Sequence, residues 1–408
     1  MRYSLGQGLS PEENMRVTVL GAGWQGIACA YDLLRNPQIE VLLVDRDPAA
    51  VNNARRRLLS DRLEVGTVDC TDAASLSSVL TDSMVAVSAL PYRLNLGIAR
   101  GAVDTGTSMV DMGGNIETVL DELRLAPAAR QAEVLLVPDC GLAPGLANVL
   151  VADAVSVLDE VEQVAIRVGG LPARRIPPWD YRLVFSIEGL LNEYTGSAAV
   201  LRDWNRAEVA VLEEIEEIEF PPPVGRCQAA FTSGGSSTLP WSYAGRIRNL
   251  DYKTVRYPGH YDKLRVLQAL GLFEDEPLSV GPVRLAPLKL AKSLLARAFT
   301  HPEVPDVVVL RITSQGKKDG RRVVLTHELI DHQDEQTGLT AMMRTTAFPV
   351  SIVAQMVAGG AIREKGAFPP ERVVPPQLLM AELERRDIRV ERRLQPLPDS
   401  PPPDANVV

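Results

Sequence analysis

Short apolar runs alternate with stretches of helical period through the first third of the chain, so strands and helices can be read off in turn. Strands are predicted at 16–20, 40–44, 63–68, 84–88, 108–111 and 133–137, and helices at 27–34, 48–58, 73–80, 94–104 and 116–131. Repeated strand–helix units of this kind predict about six parallel strands in a doubly wound, Rossmann-type α/β sheet. Such a sheet binds its ligand beyond the carboxyl ends of its strands. Here those ends are Ala89-Leu90-Pro91, Asp111-Met112-Gly113-Gly114-Asn115 and Asp139-Cys140-Gly141.

Past residue 158 the regular alternation stops. Residues 161–168 alternate as a half-buried antiparallel strand does, and the runs 307–314 and 321–332, joined by 315–320, read as a hairpin. A second α+β domain with a mixed or antiparallel sheet is expected. An apolar-periodic helix at 339–357 ends at Gly359-Gly360, followed by a helix and strand within 376–390. The expected organisation is a dinucleotide domain at 14–140, a catalytic domain at 141–337, a segment at 338–394 returning to the first domain, and a proline-rich disordered tail at 395–408. The most apolar stretch, 134–158, contains Pro138, Asp139, Pro144 and Asp153 and reads as strand, loop and buried helix, not as a membrane span.

Composition narrows the partners. A chain of 408 residues is too long for one ordinary core and suggests two units. Its net charge of −9 offers no footprint for nucleic acid or an anionic membrane, which leaves small solutes. Cys29, Cys70, Cys140 and Cys227 are far apart without CxxC spacing, so neither a zinc site nor a disulfide framework is indicated. No metal is expected. The start of the chain lacks a targeting core, and a cytoplasmic homo-oligomer is expected.

Gly21-Ala22-Gly23-Trp24-Gln25-Gly26 lies between the first strand and the first helix, where a dinucleotide fingerprint belongs. Gly21 permits the tight turn, Gly23 admits a pyrophosphate to the backbone, and Gly26 allows close helix–strand packing. Trp24 either covers the pyrophosphate or packs locally. Asp45 ends the second strand about 20 residues further on, where a carboxylate accepts from the ribose hydroxyls and repels a 2′-phosphate. NAD is therefore the expected cofactor. Arg46 keeps NADP as the alternative, because an arginine there can pair with that phosphate.

Several longer words carry a family resemblance: Val110-Asp111-Met112-Gly113-Gly114-Asn115, Pro138-Asp139-Cys140-Gly141-Leu142-Ala143-Pro144-Gly145, Ser186-Ile187-Glu188-Gly189-Leu190-Leu191-Asn192-Glu193-Tyr194, Arg256-Tyr257-Pro258-Gly259-His260 and Met343-Arg344-Thr345-Thr346. With the glycine turn, they make the chain resemble the saccharopine dehydrogenase-like family over nearly its full length, and within it the lysine 6-dehydrogenases. The resemblance implies an NAD(P)-dependent oxidoreductase acting at a carbon bonded to nitrogen. It also implies a Rossmann domain completed by the C-terminal segment and a catalytic domain inserted between. Saccharopine-forming members resemble Gly-Leu-Asp-Pro-Gly where this chain has Gly141-Leu142-Ala143-Pro144-Gly145. Lysine 6-dehydrogenases, by resemblance, tolerate that alanine and use NAD.

For such chemistry the amine must be neutral when hydride leaves, so a base must deprotonate an ammonium of ordinary pKa about 10.4. His260, Glu188, Asp139 and Asp111 are the candidates. His260 opens a helix predicted over 261–270 and would be kept neutral there; packing at a domain seam is its alternative. Asp111 and Asp139 end strands and either meet ligand or cap the next helix. Glu188 and Asn192 share a helix face and could hold an amine, or could be solvated. Arg256 suits an amino-acid carboxylate, or a surface ion pair. Arg344 with Thr345-Thr346 interrupts an apolar helix and could contact substrate, while Thr346 could bond back to its own helix. An amino-acid substrate, with L-lysine first, is expected. A saccharopine or carboxyspermidine-type dehydrogenase and a non-catalytic NAD-binding protein are the alternatives.

Overall fold

Seven parallel strands form the first sheet of the computed structural model, which describes residues 14–397. Strands β1 (Met15–Leu20), β2 (Ile39–Asp45), β3 (Leu63–Thr67), β4 (Val85–Ser88), β5 (Ser108–Asp111) and β6 (Leu135–Val137) alternate with helices α1 (Trp24–Leu34), α2 (Pro48–Arg57), α3 (Ala73–Leu80), α4 (Asn95–Thr105), α5 (Ile116–Leu123) and α6 (Ala126–Gln131). Asp47, Asp72 and Asn115 cap α2, α3 and α5 by accepting from backbone N–H groups of the first turn, each contact contributing about 1 kcal/mol. The single helix expected over 116–131 is two, because Pro127 lacks an N–H and its ring would clash with the Leu123 carbonyl. Proline is instead accommodated in the first turn of α6.

Helix α7 (Leu146–Val157) leads into the second unit. Strands β7 (Glu160–Pro172), β8 (Ser197–Arg202), β9 (Asn205–Ala210), β10 (Glu216–Phe220), β11 (Gly225–Phe231) and β12 (Ile247–Arg256) follow, with helices α8 (Ile187–Glu193), α9 (Leu239–Tyr243), α10 (His260–Ala269) and α11 (Pro287–Phe299). A separate small ribbon pairs β13 (Leu278–Val280) with β14 (Val283–Leu285). The long hairpin of β15 (Asp306–Lys318) and β16 (Arg321–His332) turns on Asp319-Gly320, both at positive φ as a two-residue hairpin turn requires. The sheet is mixed: β7 runs parallel to β12 and antiparallel to β15.

The chain then returns. Helix α12 (Ala341–Ala358) is buried almost throughout, and β17 (Gly366–Ala367) adds a seventh strand beside β6 where about six were expected. After α13 (Pro370–Val373) and α14 (Pro376–Glu384), strand β18 (Glu391–Pro396) crosses to pair with β16. Residues 395–396, expected in the disordered tail, thus belong to a strand; the tail beyond 397 and the start of the chain before residue 14 lie outside the described residues. One apolar cluster runs from α1 and β1 through α7 and α12 to β7 and β15, so the two units share a core. Among the described residues no helix is long and apolar enough to cross a membrane.

Candidate active site

The glycine turn forms a cradle beyond β1. A Cβ on Gly26 would stand 1.8 Å from the Gly21 carbonyl oxygen, so only glycine lets α1 approach the strand this closely. A Cβ on Gly23 would meet nothing within 4 Å, and Gly23 is exposed at the N-terminus of α1, where unpaired N–H groups and the helix dipole favour an anion. Trp24 is 50% exposed beside it. Gln25 reaches the Met342 carbonyl from Nε2 at 3.4 Å, and its buried Oε1 has no partner. Asp45 closes the other side: Oδ2 accepts from the Ala22 N–H at 2.8 Å and Oδ1 from the Asp47 N–H at 2.9 Å, which fixes the carboxylate while lone pairs remain for a ribose. Arg46 is exposed. Ala89 packs on Gly21, which brings Ala89-Leu90-Pro91 to the rim. Open space over a donor-rich helix end, flanked by a fixed carboxylate, fits a dinucleotide.

Three carboxyl groups meet at the ends of β5 and β6. Asp111 Oδ1 accepts from the Gly113 N–H at 2.6 Å and the Asp139 N–H at 3.2 Å. Glu122, on α5, shares a hydrogen bond with Asp111, which two carboxyl groups can do only if one is protonated. Burial, followed by the charges of Asp111 and Asp139, raises the Glu122 carboxyl, and burial raises Asp111, so the pair holds one proton between them. Asp139 is raised well above the carboxylate range, by burial first and then by Asp111. It does not cap α7, whose N-cap Gly145 is bonded instead by Asn148. Asp139 Oδ2 accepts from the Ser237 hydroxyl of the second unit. Oδ1 faces the Gly113-Gly114 backbone without closing a well-formed hydrogen bond, in the space a Cβ on Gly113 would fill. Asp139 holds a φ of 61°, a strained conformation for a non-glycine residue at the carboxyl edge of the sheet.

His260 and Arg256 lie inside the second unit. His260 is 1% exposed, with Nδ1 3.1 Å from the Trp179 carbonyl and Nε2 3.2 Å from the Tyr194 hydroxyl. A carbonyl only accepts, so Nδ1 carries the hydrogen and Nε2 accepts from Tyr194. Burial, then Arg256, lowers its pKa to about 3, and His260 opens α10 as expected from sequence. Arg256, expected to meet a substrate carboxylate, is spent internally: Nε donates to Tyr194 at 3.0 Å, Nη1 to the Val255 carbonyl and Nη2 to Glu193 at 3.3 Å. Arg344 likewise turns inward, to Asp331 at 2.9 Å, Asp334 at 3.5 Å and the carbonyls of Arg386 and Asp387. Thr345 bonds back to the Ala341 carbonyl, whereas Thr346 contacts Met342 Sδ. Glu188 is exposed and paired with Lys292 of α11. Its helix neighbour Asn192 does reach the sheet edge, donating to the Gly114 carbonyl at 3.4 Å. The sequence singled out neither Ser237 nor Glu122; the Ser/Gly run 232–238 was the available signal for Ser237.

A glycine cradle on a parallel sheet, with a second unit seated over its strand ends, defines a dinucleotide-dependent protein with an inserted domain. Family models match both parts of the chain: that of the saccharopine dehydrogenase NADP binding domain matches residues 17–137 and that of the saccharopine dehydrogenase C-terminal domain residues 141–388. The chain belongs to the saccharopine dehydrogenase family, and its first unit is a nicotinamide-dinucleotide domain. It is 24% identical over 299 residues to the saccharopine dehydrogenase [NADP(+), L-glutamate-forming] of Saccharomyces cerevisiae, covering 70% of this chain and 65% of that one. It is 23% identical over 438 aligned positions to the mitochondrial alpha-aminoadipic semialdehyde synthase of Mus musculus, covering 89% of this chain and 46% of that one. The chain thus spans less than two thirds of either relative's length. The apo structure of the L-Glu-forming saccharopine dehydrogenase from Saccharomyces cerevisiae shares the fold, with a TM-score of 0.77 at 19% identity over 94% of this chain and 100% of that chain.

Proposed function

We propose that this chain is an NAD-dependent dehydrogenase that oxidises the side-chain amine of L-lysine to the semialdehyde, which cyclises with the remaining α-amine. The observation that carries this reading is the Asp139 carboxyl, held at the seam of the two units with Oδ1 lacking a closed hydrogen bond. When bound in the cradle, the nicotinamide accepts the hydride. Asp139 Oδ1 takes the proton of the substrate ammonium. A carboxylate whose affinity for protons is raised by burial is a stronger base than an exposed one. After water adds to the iminium carbon, the same carboxyl returns a proton to the departing nitrogen. Asn192, anchored to the Gly114 carbonyl, borders that position.

The choice of lysine over saccharopine rests on charge. Saccharopine brings additional carboxylates, but Arg256 and Arg344 are consumed by internal partners, and the groups at the strand ends are Asp111, Glu122, Asp139 and hydroxyls. A cationic diamino acid suits them better. Incubating the protein with NAD or NADP and lysine, ornithine, saccharopine and polyamines, and following absorbance of the reduced nicotinamide, tests this. Lysine is expected to reduce NAD fastest. Reduction by saccharopine and not by lysine rejects the proposal, and binding of NAD with no reduction by any amine makes the protein a non-catalytic binder.

The preference for NAD is assigned to Asp45. Asp45→Ala is expected to weaken NAD by about ten- to a hundredfold, the worth of a charged hydrogen bond, and NADP much less. Calorimetric titration with both coenzymes checks it; equal losses would place discrimination elsewhere.

A further inference from the structure

The segment from β11 to α9, Thr232-Ser233-Gly234-Gly235-Ser236-Ser237-Thr238, is a strap of hydroxyl groups laid against the strand ends of the first unit. Ser233 Oγ donates to the Asn192 carbonyl at 2.6 Å, Ser236 Oγ to the Ala199 carbonyl at 2.9 Å and Thr238 Oγ1 to Glu371 at 2.7 Å. Those contacts fix the strap, and the Ser237 hydroxyl goes to Asp139 Oδ2. Both partners sit at positive φ, Ser237 at 39° and Asp139 at 61°, and both are nearly fully buried. Two strained residues from different units, joined by one hydrogen bond, are held that way only because the surrounding structure over-determines them.

We propose that Ser237 is the positioning residue of this site: by donating to Oδ2 it aims the Asp139 carboxyl and leaves Oδ1 to take the substrate proton, and it does so only when the second unit is seated on the first. The proposal rests on the reading of Asp139 as the proton acceptor. Burial and the carboxyl groups of Asp111 on β5 and Glu371 on α13 oppose ionisation of Asp139, the Gly114 backbone N–H favours it, and Glu122 on α5 and the neighbouring Cys140 thiol bring no positive charge. The Ser237 hydroxyl is the side-chain donor that favours the anion, and it pulls the Asp139 pKa down against burial.

The test uses Ser237→Gly and Ser237→Ala. Glycine occupies the positive φ without strain, so it removes the hydroxyl without endangering the fold; alanine removes the hydroxyl and keeps the strain. In both variants kcat for lysine is expected to fall about tenfold with NAD affinity unchanged, and the acid limb of kcat/KM to move up by about one pH unit. The thermal midpoint of the glycine variant should equal or exceed that of the parent. A second readout needs no turnover: the carboxyl carbon of Asp139, labelled with carbon-13 and assigned against Asp139→Asn, should titrate at higher pH in the glycine variant. An unmoved acid limb, or a loss of activity that merely follows the thermal midpoint, overturns the proposal. If the parent protein oxidises no amine, the assigned function fails instead, and the carbon-13 titration alone decides whether Ser237 governs Asp139.

Discussion

Asp139→Asn is expected to lower kcat/KM for lysine by about a thousandfold, within the range that loss of a positioned acid–base group produces, while NAD binds as before. Asparagine keeps the size of the side chain and can still accept from Ser237, so the variant removes proton affinity with little change of shape. Because burial and Asp111 hold the Asp139 pKa above the usual carboxylate range, the parent enzyme should lose activity on the acid side well above pH 4. The sign follows from the group required: the anion is the base, and a raised pKa means protonation silences it at a higher pH. Steady-state rates across pH, with calorimetric NAD binding as the control, measure both effects. A loss of less than tenfold would move the base elsewhere, with Asp111 the next candidate.

Gly26→Ala should be the most damaging change in the cradle. Its new methyl group would stand 1.8 Å from the Gly21 oxygen and 2.9 Å from the Gly21 carbonyl carbon, and neither is the end of a flexible side chain. Gly21 is itself pinned, donating its N–H to the Val44 carbonyl at 2.7 Å, so relief requires α1 to move off the sheet. A destabilisation of about 3 kcal/mol or more is expected, with NAD affinity lost alongside. Gly23→Ala provides the contrast. Its methyl group meets nothing within 4 Å in the free protein, so the thermal midpoint should hold while the pyrophosphate is crowded out and NAD weakens. Thermal melts and calorimetry on the pair separate the two roles, and a Gly26→Ala protein that melts like the parent would show that the helix can retreat.

The first unit was legible because its determinants are local. Short apolar runs, aspartates and asparagine at helix starts, and a glycine turn declare themselves within a few residues of sequence. Asp111 and Asp139 could be placed at strand ends because the strands could be counted. What they touch could not be read: Ser237 is 98 residues from Asp139 in sequence, and only the packing of the second unit brings them together. Arg256 and Arg344 show the converse. An isolated arginine in a sequence does not reveal whether its guanidinium already has partners, and here Glu193, Tyr194, Asp331 and Asp334 supply them. The break between α5 and α6 was within reach, since Pro127 was in plain view, but the helical period continues through it.

The completion of the first sheet by residues 366–367 constrains how the protein is made. Synthesis is vectorial and early segments fold first, yet the last strand of the amino-terminal sheet leaves the ribosome only after the whole inserted unit has done so. Through that interval β6 presents an unpaired edge, a template for strands of other nascent chains. The inserted unit must therefore fold quickly enough to deliver α12 and β17 home before a neighbour does.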